Sequence, residues 1–443
     1  MTSTGPSSSP FTAETFQNEY LAAGADTVDA VVTVTAEGEA GGSTALPPGD
    51  RAEIIFIDTS GSMGAGVKLR SARDAAIAAV DTLDDGVRFA VVEGSHKARM
   101  VWPRTPDHLA TASAADRASA AAAIGTLDAE GGTAIGTWLQ AALQLFETTP
   151  TRSRHAILLT DGRNETQTPA ELAAAVHACR GVFQCDCRGV GVNWEVEELR
   201  GIATALLGTV DIVADPTDLA ADFQAMITSS QSRSLPDVKL RLWTPQGASI
   251  DSVRQVAPEV LDLTGSSVAS GPQTHDFLLG GWSPGEVRDY HVQVTVAPGG
   301  VGDEMLAGRV SLVLADGTVA TQALVKAVWT DDRDLSTRID RHVAHYTGQV
   351  ELADAIQSGL AAAKAGDEAS ATLKLGRAVQ LANESGNGDT LRLLAGVVDI
   401  ADPETGTVKL KPAAEKEAEM TLDTRSTRTV RLGKTSTDDG KKA

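Results

Sequence analysis

The stretch Ile54-Ile-Phe-Ile-Asp-Thr-Ser-Gly-Ser-Met63 decides how the rest of the chain is read. Its first four residues are uniformly apolar and β-prone. They fit a strand buried on both faces better than an alternating, half-exposed one. The run ends at Asp58, and Ser60 and Ser62 follow at i+2 and i+4, with Gly61 between the serines. Short oxygen-bearing side chains at that spacing, on a loop leaving a buried strand, aim several hard donors at one point. Such a set suits a small divalent cation.

Outward from this stretch, strands and helices alternate over residues 50–231. The spacing predicts strands at 53–57, 87–93, 98–102, 156–160, 185–192 and 210–213, with helical patterns over 68–83, 114–127, 137–146, 169–179, 196–205 and 219–229. Apolar strands separated by amphipathic helices predict an α/β domain: a mostly parallel sheet with helices on both faces. Ligands in such sheets sit beyond the carboxyl ends of the strands. Two further segments offer candidate donors. Gly131-Gly-Thr-Ala-Ile-Gly136 has paired glycines that let the backbone turn and present Thr133. Ile157-Leu-Leu-Thr-Asp-Gly162 is a second buried strand, ending at Asp161. Each piece alone is also compatible with an ordinary helix cap or turn. Ser60 or Ser62 could also serve as a nucleophile, but neither lies in a Gly-x-Ser-x-Gly elbow. None of the eight histidines has a partner evident in sequence, and no Gly-x-x-x-x-Gly-Lys-Ser/Thr phosphate loop occurs.

Taken together, Asp58-Thr-Ser-Gly-Ser62, Thr133 and Asp161 resemble the metal-ion-dependent adhesion site of von Willebrand factor type A domains, a resemblance covering residues 50–231. It implies a Rossmann-like fold and a bound Mg²⁺, with Mn²⁺ or Ca²⁺ as substitutes. It further implies that Ser60, Ser62 and Thr133 offer hydroxyl oxygens directly, while Asp58 and Asp161 act through water or orient them. One position is left for a Glu or Asp side chain of a protein partner, which makes the chain a non-enzymatic binding module. An accessory role for a MoxR-like AAA ATPase, in metal insertion or complex assembly, is the alternative the resemblance allows. A serine hydrolase is the third reading.

Around this domain, residues 1–10 are Ser, Thr, Gly and Pro, with little to bury, and are expected to be disordered. Residues 11–48 carry a β-prone segment expected to join a later sheet, since two strands alone are marginal in water. Short β-prone runs punctuated by Gly and Pro over 235–330 predict an antiparallel sandwich, with the α/β domain inserted in it or preceding it. Residues 331–400 predict a helical hairpin, with helices over 340–347, 350–365 and 368–383 broken at Gly348 and Gly366. Residues 401–443 are expected to be a mostly disordered basic tail. From Thr421 onward it holds six Lys/Arg against three Asp, and Thr424, Thr427 and Thr429 stand among arginines as candidate phosphosites.

The net charge of −21 argues against nucleic-acid and anionic-membrane partners, whose phosphates it repels. No run approaches about 18 apolar residues, and the first residues show no signal-peptide pattern, so a soluble, cytoplasmic bacterial protein is expected. Cys179, Cys185 and Cys187 lack the paired spacing of a structural zinc site and fit a reducing compartment. The whole-chain order resembles actinobacterial von Willebrand factor type A proteins found near serine/threonine kinases and forkhead-associated proteins. That resemblance implies such a kinase and a forkhead-associated domain protein as further partners.

Overall fold

The computed structural model describes residues 9–37, 46–105, 107–411 and 414–432. Three strands come first: β1 (Phe11–Gln17), β2 (Tyr20–Ala22) and β3 (Thr27–Ala36). The α/β domain follows, as β4 (Arg51–Asp58), α1 (Lys68–Thr82), β5 (Arg88–Gly94), β6 (Ala98–Trp102), β7 (Ala110–Thr111), α2 (Ala114–Ile124), α3 (Ile135–Glu147), β8 (Ser153–Thr160), α4 (Pro169–Cys179), β9 (Gln184–Val190), α5 (Val196–Ala205), β10 (Val210–Val213) and α6 (Leu219–Ser232).

Its sheet runs β10-β9-β8-β4-β5-β6, with β7 also on β5, and the pairs from β10 to β5 are parallel. All eight residues of β4 are buried. Side chains alternate across a strand, so Ile54 and Phe56 enter one core with Trp138, Leu139 and Leu199, while Ile55 and Ile57 enter the other with Ala75, Ala79 and Phe223. Gly94, at the end of β5, lies under the Trp138 ring, where an added Cβ would approach within 2.3 Å. That close approach lets Trp138 Nε1 donate to Ser95 O at 2.8 Å and seats α3 beside the strand ends.

The sandwich adds β11 (Leu235–Trp243), β12 (Ser249–Ala257), β13 (Leu261–Asp262), β14 (Val268–Gly271), β15 (Thr274–Trp282), β16 (Val287–Thr295), β17 (Glu304–Val313) and β18 (Val319–Thr330). One sheet is ordered β1-β3-β16-β12-β13, the other β14-β15-β11-β17-β18-β2. The first strands of the chain therefore complete both sheets, and the α/β domain is an insertion between β3 and β11. β15 is the least β-prone of the long strands in sequence, and Gly280 and Gly281 near its end are packed closely by Gln184 and Arg233.

The C-terminal part holds α7 (Arg333–Ser336), α8 (Arg341–Lys364), α9 (Glu368–Glu384), α10 (Gly388–Val397), the hairpin β19 (Val398–Asp402) and β20 (Thr407–Leu410), and α11 (Lys416–Arg425). Two expectations are corrected here. Gly348 does not break the first helix, since α8 runs through it without interruption. A helical glycine costs only about 1 kcal/mol relative to Ala, which tertiary packing overrides. α8 packs Tyr346 against Val31, Val256 and Ala257, and Tyr346 Oη donates to Asp289 at 2.5 Å.

The second correction concerns the tail, which is ordered well beyond residue 401. Residues 414–432 pack on the body, and residues 433–443 lie outside the described residues, as do residues 1–8. Met420 and Leu422 are buried. Arg425 and Arg428 donate to Asp211 at 2.9 and 2.6 Å, and Arg431 donates to the buried Asp289 at 3.0 Å. Burial pushes the Asp211 carboxyl up, but these two arginines hold it below its usual range. Low apolar content suggested a solvated tail, yet the acidic body supplies the counter-charges that order it.

A buried ionic row crosses the bottom of the α/β sheet. His155 Nδ1 meets Glu53 at 2.7 Å and Nε2 meets Asp186 at 2.8 Å, with Ser230 donating to Glu53 and Thr209 to Asp186. Burial pulls the His155 pKa down, but Glu53 and Asp186 carry it up to about 9. A raised histidine pKa stabilises the fold fully below the unfolded value of about 6.5, and that stability is lost as pH rises through the folded value. Urea unfolding is therefore expected to show stability falling by on the order of 3 kcal/mol between about pH 6.5 and about 9. In His155→Asn this slope should vanish, with a loss at neutral pH of about 3–5 kcal/mol, since two carboxylates are left buried without their cation.

Candidate metal centre

Because β4, β5 and β8 are parallel neighbours, the loops after β4 and β8 leave the same edge of the sheet. The loop before α3 is stitched to them through the backbone. Gly61 N donates to Gly131 O at 2.9 Å, Glu130 N to Thr59 O at 2.6 Å, and Ala134 N to Ser95 O at 2.9 Å. Gly131 adopts φ +82°, a conformation that favours glycine, and an added Cβ would meet His96 at 2.7 Å. Thr133 O accepts from the backbone of Glu165 and Thr166, so this loop is also tied to the one after β8. Asn164 and Gln167 accept from Ile135 N and Gly136 N, capping the start of α3 from that same loop.

All five residues expected at the metal site meet here. Asp58 is fully buried, and its Oδ1 accepts from Ser60 N at 2.7 Å. The Ser60 and Ser62 hydroxyls are 3.0 Å apart, and Ser62 Oγ donates to Asp161 Oδ1 at 2.6 Å. Thr133 enters from the third loop. A Cβ placed on Gly162 would lie 3.1 Å from Thr133 Oγ1, 3.6 Å from Ser62 Oγ and 3.9 Å from Ser60 Oγ. Three hydroxyl oxygens from two loops thus surround one space, kept open because residue 162 has no side chain. Neutral oxygen donors around an atom-sized space, backed by two buried carboxylates, are a donor set that hard divalent cations accept.

Two residues at this site escape sequence reading. Thr160 Oγ1 donates to Asp58 Oδ2 at 2.5 Å, so both carboxylate oxygens are engaged. Lys68, at the start of α1, places Nζ 2.5 Å from Asp161 Oδ2 and gives that buried carboxylate a resident cation. Thr160 lay inside the quoted Thr-Asp-Gly segment, and only the fold reveals its partner. Lys68 carried no sequence signal. Burial raises the Asp58 pKa, its hydrogen bonds to Thr160 and Ser60 oppose the rise, and the nearby Asp161 adds to it. A positive charge in this space would relieve that cost.

Neither serine hydroxyl is bonded to a histidine among the described residues. The cysteines are all free and sit in the core, where burial and the nearby Glu147 push the Cys179 thiol up to about 12. No group of three His, Cys, Asp or Glu able to hold a metal occurs among the described residues.

The architecture recurs in known proteins. A family model for the von Willebrand factor type A domain matches residues 53–212, and one for the von Willebrand factor type A C-terminal domain matches residues 380–426. The solved structure of a von Willebrand factor type A protein from Catenulispora acidiphila is 47% identical, covering 97% of this chain and 99% of its own, with a TM-score of 0.90. The chain belongs to the von Willebrand factor type A family. The ArnB paralog VWA2 from Sulfolobus acidocaldarius shares the fold over 94% of this chain and 97% of its own, at 14% identity and a TM-score of 0.58. An uncharacterised protein of Synechocystis sp. is 30% identical over 215 residues, 47% of this chain. The chain spans about half, 49%, of that curated relative's length. Domains of this family generally serve as interaction modules rather than enzymes. Among the described residues no helix is long and apolar enough to cross a membrane.

The open space at Gly162 yields a direct expectation. If a divalent cation occupies this space, it raises the melting temperature of the natural chain, and Gly162→Ala, which puts a methyl group among the three hydroxyls, should abolish that rise. The metal-free melting temperature should change by only a few degrees; differential scanning fluorimetry with and without chelator reads both.

Proposed function

We propose that the chain is a non-enzymatic, Mg²⁺-dependent interaction module that captures an acidic side chain of a partner protein. The observation carrying this reading is the convergence of Ser60, Ser62 and Thr133 on the space above Gly162, with Asp58 and Asp161 buried behind it. Those five residues would hold the ion, which when bound supplies a Lewis-acidic position for one more oxygen.

Local charge supports the choice of an acidic partner group. Two carboxylates and the Lys68 ammonium leave the site with one net negative charge. A divalent cation turns this into one net positive charge, which a single incoming carboxylate neutralises. Mn²⁺ or Ca²⁺ satisfies the same arithmetic. The cytoplasmic setting proposed with this role suits the three unpaired cysteines.

Pull-down from the native host tests the reading. A partner should be retained with Mg²⁺ and released by chelator or by Asp58→Ala; equal retention in all three cases overturns it. Lys68→Met in the same assay should separate two effects. Mg²⁺ should bind about tenfold tighter once the competing ammonium is gone, and the acidic partner more weakly, because the loaded site is then neutral.

The regulatory part of the proposal, phosphorylation read by a forkhead-associated partner, now rests on two of the three candidate threonines. Thr424 is buried and donates to Met420 O at 2.6 Å, which places it out of a kinase's reach. Thr429 donates to Val256 O at 2.8 Å, and the half-buried Thr427 hydroxyl makes no hydrogen bond among the described residues. Incubation with a serine/threonine kinase and mapping by mass spectrometry should find phosphate at Thr427 or Thr429 and none at Thr424. An unmodified segment would remove this part of the reading.

A further inference from the structure

Where β8 and β9 begin, at the opposite end of the strands from the metal centre, the α/β domain faces the sandwich across a cavity of about 380 Å³. Arg152 and Arg154 line it from the approach to β8, and Lys239 lines it from β11. Among the described residues none of these three side chains makes an ion pair or a hydrogen bond. By contrast, the buried or half-buried Arg51, Arg188, Arg241 and Arg288 each meet a carboxylate within 3.3 Å. In a chain with 59 acidic residues against 38 basic ones, three cations without such a partner share this one cavity.

Two buried donors in the same wall also lack partners: Arg154 Nε and Thr151 Oγ1. Buried donors are almost always hydrogen-bonded, and leaving one unpaired is costly. Asp237 is the single acid lining the cavity. It sits where the β11–β15 register shifts, at φ +52°, in the left-handed region that non-glycine residues rarely occupy. Burial pushes its carboxyl up, against the pull of Arg154, Lys239 and Arg152. The cavity thus carries three cations against one acid. Phe183, Leu207 and Leu278 supply apolar wall beside the charges.

We propose that this cavity is a binding site for a phosphate-bearing small molecule, its oxyanion held by Arg152, Arg154, Lys239 and the Thr151 hydroxyl. A dianion matches the excess of two positive charges, and guanidinium groups present paired donors to phosphate oxygens. The volume suits a phosphomonoester and excludes a helix or a folded partner. Gln184, whose side chain bonds Leu207 O at 2.7 Å and Gly281 N at 3.1 Å, forms part of the same wall and already ties the two units together there. A ligand in the cavity would add a second tie between them. This inference is independent of the metal centre.

Inorganic phosphate and glycerol 3-phosphate, each titrated into the full chain in metal-free buffer at constant ionic strength, test it. Both isothermal calorimetry and melting temperature should show saturable binding that chloride does not reproduce. Tighter binding of glycerol 3-phosphate would assign the site to a phosphomonoester, and equal binding to free phosphate. Arg154→Met and Lys239→Met should each weaken binding at least tenfold, while Lys374→Met, on an exposed face of α9, should leave it unchanged. Lys239 is only half-buried, so its variant serves if Arg154→Met fails to fold. Stabilisation no greater than with chloride, or unchanged affinity in Lys239→Met, overturns the proposal.

Discussion

Burial of β4 on both faces between two parallel neighbours is the constraint from which the rest of the α/β domain follows. A strand with no exposed side must be covered by helices above and below, and parallel pairing places the carboxyl ends of β4, β5 and β8 together. Loops that leave those ends emerge into a polar notch whose floor is apolar core. Asp58 and Asp161 are therefore charges held against a low-dielectric interior. Their oxygens are met by Ser60 N, Thr160, Ser62 and Lys68. The binding geometry at this edge is thus a consequence of how the core is built.

The same logic of paired charge extends through the molecule. A chain with a net charge of −21 repels itself, and its arginines are placed where that repulsion can be converted into cohesion. Asp211 gathers Arg425 and Arg428, Asp289 gathers Arg431 and the Tyr346 hydroxyl, and Arg200 reaches Asp423 at 2.7 Å. These contacts join the C-terminal segment to the α/β domain and to the sandwich at once. Glu53, His155 and Asp186 do likewise inside the sheet. Two places each gather an excess of one sign of charge. One is the candidate metal centre, where Asp58 and Asp161 face the single ammonium of Lys68; the other is the basic cavity at the far end of β8. A local excess of one sign of charge in a partly buried space is a physical reason to expect a ligand.

Much of this was legible before any tertiary structure. Uniform apolar runs separated by amphipathic segments locate the α/β elements to within a few residues, because burial on both faces and a 3.6-residue period leave plain traces. Three oxygen-bearing motifs, two of them at strand ends, are enough to nominate Asp58, Ser60, Ser62, Thr133 and Asp161, which the fold brings to one place. β15 was harder to see because paired glycines weaken its β signal, and Gln184 and Arg233 pack where their side chains would be. The segment around α11 was misjudged for a related reason. Its arginines look solvated until Asp211 and Asp289, more than a hundred residues away in sequence, are known to face them.

What the sequence determined alone, then, was the order of elements, the burial of β4 and the chemical type of each loop donor. Those are local properties, written in hydrophobic period and in the short range of an Asp or Ser side chain. Only the tertiary structure decided which charges meet. Lys68 beside Asp161, His155 between two carboxylates, and three cations without a partner at the domain junction depend on strand order and on packing between distant segments. Coulomb interactions act through space and leave no periodic trace along the chain, whereas the strand Ile54-Ile-Phe-Ile57 that brings these groups within reach is visible at first reading.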